Sequence, residues 1–162
     1  MKRPNPLATT KDLAHTEAPA REYQELWFSI SRRPWRSIVF VPVDANVSAG
    51  YIASALVDVA KWLREAPVTL FTMSDPLDYA AANQLVGPVG PHGHGSSGLA
   101  APNERVIVAV QPVSLEPLGL AVTRTADAVV LCIGKARSRL SAVRHTIALI
   151  GRERITGCVF IH

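Results

Sequence analysis

With 162 residues, 48% of them hydrophobic, the chain is long enough to bury one substantial core and too short for two ordinary domains with a linker. Its net charge of +4 and pI near 9.4 come from arginine far more than lysine, which suits phosphate, anionic lipid or an acidic protein face. The basic residues lack regularly interleaved aromatics, so the composition does not point to nucleic acid.

Residues 1–18 are polar and contain proline without any periodic apolar pattern, which predicts a flexible N-terminal segment ahead of a single domain over 19–162. No apolar run approaches the roughly 20 residues of a membrane-spanning helix, and MKRPNPLATTKDLAHTE has no hydrophobic signal core. The expectation is therefore a cytoplasmic protein with no transmembrane segment, free to work beside a membrane.

From Ala20 to Ser31, Tyr23, Leu26, Trp27 and Ile30 fall at helical spacing, which predicts a helix ending before Pro34. SIVFVPV, Ser37 to Val43, is a short run rich in β-branched residues and reads as a strand. After a turn, the stretch from about Ser48 to Arg64 predicts a helix whose apolar face is Ala49, Ile52, Ala53, Leu56, Ala60 and Leu63. Pro67 ends that region, and VTLFTM reads as a second strand. The next segment, LVGPVGPHGHGSSGLAAPNE, is dense in Gly, Pro and Ser and reads as a surface loop. Its His92 and His94 form a His-x-His pair, but with no Cys beside them and no acidic residue until Glu104 they lack a third metal ligand.

RVIVAV (Arg105 to Val110) and AVVLCI (Ala128 to Ile133) read as third and fourth strands, with SLEPLGLAVTRTAD able to hold a helix between them. RSRLSAVRHTIALIGR then predicts an amphipathic helix with Leu140, Val143, Ile147 and Ile150 inward, and TGCVFIH closes as a fifth strand. Cys132 and Cys158 both lie in apolar runs and read as reduced core residues. Near-continuous apolar strands alternating with helices imply a mainly parallel sheet covered on both faces, a three-layer α/β/α domain.

The residues that carry a resemblance are REYQELWFSI, then SIVFVPVDANVSAGYIASALVDVA, then ERVIVAVQPVSLEPLGLAVTRTADAVVLCIGKARSRLSAVRHTIALI, and finally GRERITGCVFIH. Together they resemble the bacterial tyrosine kinase domains of exopolysaccharide and capsule assembly, within the ParA/MinD-type P-loop ATPases. The resemblance implies a P-loop NTPase-like fold, with the phosphate loop at Asp44 to Tyr51. It also implies a leading helix that carries an oligomerisation pattern.

Set against those motifs, the sequence departs at each charged position. A phosphate loop needs glycines for close backbone approach, a lysine for charge and a Ser or Thr for Mg²⁺. Here the lysine position falls on Ala49, the glycine before it on Ser48, and the metal-binding hydroxyl on Gly50 or Tyr51, with Asp44 and Asn46 earlier in the loop. The first acidic motif aligns its aspartates with Thr72 and Ser74, with Asp75 one place beyond, and the second places Ala109 where an aspartate is expected. Mg²⁺-assisted phosphoryl transfer depends on these charges, so no catalytic residue, nucleotide cofactor or metal is expected. Ser48 with Gly50 could still offer helix N-terminal amides to an anion, although an N-cap by Asn46 or Ser48 is the simpler reading.

The resemblance therefore implies a non-catalytic, kinase-like partner of an inner-membrane polysaccharide co-polymerase, regulating or scaffolding exopolysaccharide or capsule assembly and export. It would sit at the inner membrane through that partner. The alternative is a nucleotide-binding protein tyrosine kinase or ATPase with a displaced site. In the leading helix Glu22 fits the oligomerisation pattern, but Glu25 and Phe28 stand at its two arginine positions. These residues, with Trp27, Arg32, Arg33 and Arg36, form the candidate interface; the three arginines read equally as a solvated surface, and Trp27 with Phe28 would be an apolar docking patch if exposed.

Overall fold

The computed structural model describes residues 18–65, 67–74, 78, 79, 81, 82 and 104–162. The segment 1–17, Asp75 and the Gly/His-rich stretch 87–98 with His92 and His94 lie outside them. The described elements run α1 (Arg21–Ile30), β1 (Ser37–Pro42), α2 (Ala49–Trp62), β2 (Val68–Thr72), β3 (Arg105–Ala109), α3 (Gly119–Thr125), β4 (Ala128–Gly134), α4 (Leu140–Ile150) and β5 (Ile155–Ile161). A turn of 3₁₀ helix, Arg152–Arg154, joins α4 to β5.

The five strands form one all-parallel sheet in the order β2-β3-β1-β4-β5. β1 is central, and every one of its residues is buried, because a strand with helices on both faces has no solvent side on which to alternate. Its odd and even positions feed two separate cores. Ile38 and Phe40 pack with Trp27 of α1 and with Ile52 and Leu56 of α2 on one face. Val39 and Val41 pack with Val122 of α3 and Ile150 of α4 on the other. The mainly parallel α/β/α architecture expected from the sequence is the one observed.

The N-terminal ends of β1 and β4 are tied by one carboxylate. Asp127 Oδ2 accepts from the backbone N–H of Arg36 (2.8 Å) and of Ser37 (2.9 Å) and from Ser37 Oγ (3.2 Å). At the opposite, C-terminal edge the chain leaves β1 toward the α1/α2 face and leaves β4 toward the α3/α4 face. Divergence of this kind opens the crevice in which α/β sheets hold ligands.

Two sequence expectations are corrected by where β5 and α4 lie. Cys158 is exposed and not a core thiol, because β5 is an edge strand whose Thr156, Cys158 and Phe160 face solvent while Ile155, Val159 and Ile161 are partly buried. Leu140 is 64% exposed and not inward, because it opens α4 at the rim of the sheet. Val143 and Ile147 are partly buried against the core, and Ile150 is buried, as their spacing predicts.

Candidate functional site: a cleft at the end of the sheet

The bend between β1 and α2 sits at this C-terminal edge and is held by its own polar groups. Asp44 Oδ1 accepts from Asn46 N–H at 3.0 Å. The Asp44 carbonyl accepts from Val47 N–H at 3.4 Å. Ser48, with extended backbone, caps α2 by accepting from Tyr51 N–H at 3.3 Å. Three amides of the loop and helix start thus have partners within the chain.

The loop's course explains how it dispenses with glycine. A backbone nest for an anion alternates right- and left-handed residues. Among the described residues, positive φ occurs at Arg64, Ala136 and Gly151, and at none between 43 and 50. At Gly50 an added Cβ would lie 3.6 Å from Thr72 Cγ2, an ordinary contact, so nothing about the backbone there requires a glycine.

A cleft of about 310 Å³ lies between this loop, the end of β2 and the end of β3. It brings together Asn46, Ser48, Ala49, Gly50, Thr72 and Ala109, six of the positions aligned with the phosphate and acidic motifs. Among the described residues its lining carries no charged side chain; Asn46, Ser48, Thr72 and Gln111 supply the polar groups. Such a lining can hydrogen-bond a neutral ligand but offers no net charge to a triphosphate or a divalent cation. Asp44 does not line the cleft, and Tyr51 turns away from it to the groove described below. Ser74 is exposed, and its N–H donates to Asp78 Oδ2 at 2.8 Å.

The back of the cleft is held by Gln111, which the sequence reading did not single out. Its backbone N–H donates to the Tyr79 hydroxyl at 3.2 Å, and its Nε2 donates to the Met73 carbonyl at 3.4 Å. Burial pushes the Tyr79 hydroxyl above its ordinary value, against the opposing effect of the Gln111 N–H. No group of three or more His, Cys, Asp and Glu side chains that could hold a metal occurs among the described residues.

The sequence reading did not bring the turn after β4 to this loop. A Cβ added at Gly134 would lie 3.1 Å from Val47 Cγ2 and 3.2 Å from Arg137 Cβ, so Gly134, at the head of the turn Lys135 to Arg139, lies against the loop after β1. The signal was the basic run KARSR after an apolar strand; its relevance depended on knowing that β4 neighbours β1.

Of the candidate interface residues, Trp27 is corrected outright. It is 0% exposed, and its Nε1–H donates to Glu65 Oε1 at 3.1 Å, so it anchors α1 to the body and is not part of a surface patch. Phe28 is 57% exposed. Glu22, Glu25, Arg32, Arg33 and Arg36 are exposed, and Glu25 pairs with Arg21 on the same helix at 2.8 Å. A groove of about 680 Å³ runs between α1, the start of α2 and β5, with Glu22, Tyr23, Leu26, Tyr51 and Phe160 among its walls.

No protein-family model matches the sequence, and no curated protein does. Among solved structures, the crystal structure of the chimerical protein CapA2B2 superposes with a TM-score of 0.55 and 13% sequence identity, over 85% of this chain and 80% of that one. The likeness is one of fold. No helix among the described residues is long and apolar enough to cross a membrane.

Proposed function

We propose that this chain is a non-catalytic, kinase-like adaptor that docks on the cytoplasmic part of an inner-membrane polysaccharide co-polymerase and scaffolds or regulates capsule or exopolysaccharide assembly. The observation that carries the reading is the loop between β1 and α2. Asp44 and Ser48 occupy amides of the loop and helix start, and the described residues that line the cleft carry no charge. Phosphoryl transfer is catalysed chiefly by placed charge. A fold kept without that charge suits a binding role. The motif resemblance supports placing the protein beside capsule-assembly kinases, and CapA2B2 shares its fold.

Calorimetry with ATP and ADP, with and without Mg²⁺, tests the proposal. The expected outcome is no heat and no thermal stabilisation at millimolar nucleotide. Binding tighter than about 100 μM, roughly −5.5 kcal/mol, overturns it.

A second reading, a displaced nucleotide site, is favoured by one observation: Gly134, at the head of the turn that carries Arg137, lies against Val47 of the loop. Nucleotide binding that disappears in Arg137→Ala would select this reading.

A further inference from the structure

Lys135, Arg137 and Arg139 fall within five positions of the turn after β4, and all three are exposed. None of the ion pairs among the described residues uses them. The turn that carries them is held at both ends. Gly134 N–H donates to Ser138 Oγ and Ser138 N–H donates to the Gly134 carbonyl, each at 2.9 Å, with Ala136 left-handed at φ 58° between them. Like charges this close repel one another, and with no ion pair to them among the described residues the arrangement favours an anionic partner.

The cationic turn is continuous with an apolar groove. Lys135 N–H donates to the Ile161 carbonyl at 2.7 Å, so the turn meets the end of β5, which forms one wall of the groove of about 680 Å³. Tyr23, Leu26, Tyr51 and Phe160 line that groove, and Tyr51 and Phe160 are 65% and 61% exposed. Contiguous exposed apolar surface of this kind marks an interaction site more often than scattered single residues do. β5 is also the last strand of its sheet, seven residues long, with a strand neighbour on one side only among the described residues. Its outer backbone groups are a template for an added strand.

We propose that β5, the groove beneath it and the basic turn form one docking surface for an extended segment of a partner protein, in which apolar side chains are followed by an acidic run. The partner class rests on the adaptor reading; the surface is a different part of the molecule from the phosphate-loop cleft. The apolar residues line a concavity that also contains Glu22, which suits peptide side chains better than an anionic bilayer. Backbone pairing along β5 would supply affinity, the groove would take alternate side chains, and Lys135, Arg137 and Arg139 would fix direction and sign.

The test uses the full chain and a fluorescein-labelled synthetic peptide with a short alternating apolar stretch followed by a run of glutamates. A control peptide carries lysines in place of the glutamates, and phosphatidylcholine vesicles with phosphatidylserine serve as a second probe. By anisotropy the glutamate peptide is expected to bind at least about tenfold tighter than the lysine peptide, with the difference shrinking as salt rises. Lys135→Glu/Arg137→Glu/Arg139→Glu should reverse that preference, and Tyr51→Ser/Phe160→Ser should weaken both peptides. All five side chains are exposed, so melting curves are expected to stay close to the parent and will show whether any loss is unfolding.

Absence of binding, equal binding of both peptides, or indifference to the charge reversal overturns the proposal. Vesicle binding without peptide binding overturns it in favour of an anionic membrane. Nucleotide calorimetry reads the adaptor proposal separately, so failure of one is not failure of the other.

Discussion

The guanidinium of Arg105 lies 5.0 Å from the ring centroid of Trp35. The same group is 5.9 Å from the Trp27 ring, and the two indoles meet edge to face at 5.9 Å. Glu65 joins them, accepting from Trp27 Nε1 through one oxygen and pairing with Arg105 Nη1 at 3.0 Å through the other. One carboxylate just beyond α2 therefore ties α1 to the start of β3. The ion pair is about one-third exposed and is discounted for solvent screening. Arg105→Ala is expected to cost about 1–2 kcal/mol, mostly from stacking, and to lower the melting temperature by a few degrees. Trp27→Ala should cost about 3–5 kcal/mol. A neutral Arg105→Ala would show that the stack holds nothing.

Returning a carboxylate to the second acidic position should not return metal binding. Ala109 lines the cleft but is 2% exposed and packs in the α1/α2 core. Ala109→Asp is therefore expected to destabilise by about 3 kcal/mol or more, because the carboxylate loses water without gaining a cation. Melting curves with and without Mg²⁺ check this; a variant that Mg²⁺ restores to parental stability would contradict it.

Ser48 caps α2 through Tyr51 N–H. Ser48→Ala should lower stability by about 1 kcal/mol, whereas Ser48→Asp, which keeps an acceptor at the cap, should remain near the parent. Urea midpoints compare the two. Equal losses would mean that the hydroxyl, and not acceptor chemistry, matters.

The two thiols should behave oppositely. Burial pushes Cys132 up to about 12 from an ordinary value of 9.0. Above the ordinary value the unfolded chain releases a proton that the folded chain keeps, so stability falls as pH rises from about 9 toward 12. The loss should reach roughly 1.4 kcal/mol one unit above the ordinary thiol value and be absent in Cys132→Ala. The raised Tyr79 hydroxyl acts in the same direction at higher pH. A thiol reagent at mildly alkaline pH should label Cys158 in the native protein and both cysteines in denaturant. Prompt labelling of both without denaturant would place Cys132 in contact with water.

What the sequence could reveal followed from local pattern. The strands over 37–42, 68–72, 105–109, 128–134 and 155–161 stand close to where the apolar runs placed them, because each is a β-branched or apolar stretch bounded by turn residues. The face Ala49, Ile52, Ala53, Leu56 and Ala60 is buried as its spacing required. The failures depended on strand order. TGCVFIH reads like a core strand, and only its place at the sheet edge exposes Cys158 and Phe160. Trp27 and Phe28 are adjacent in sequence, but one step of a helix turns Trp27 to the core and Phe28 to solvent. The residues gathered at the cleft were mostly foreseen from the resemblance. Gln111 and the basic turn were not, since their closeness to the loop arises from sheet neighbours far apart in the chain.

The loop after β1 springs from the central strand of the sheet and closes its hydrogen bonds with Asp44 and Ser48. Loops that acquire their shape from a bound triphosphate report how much of it a cell contains. On the adaptor reading this loop, already held by Asp44 and Ser48, would keep one geometry in a starved cell and a fed one. Timing would then come from outside the molecule, from when a partner is made or where it is found.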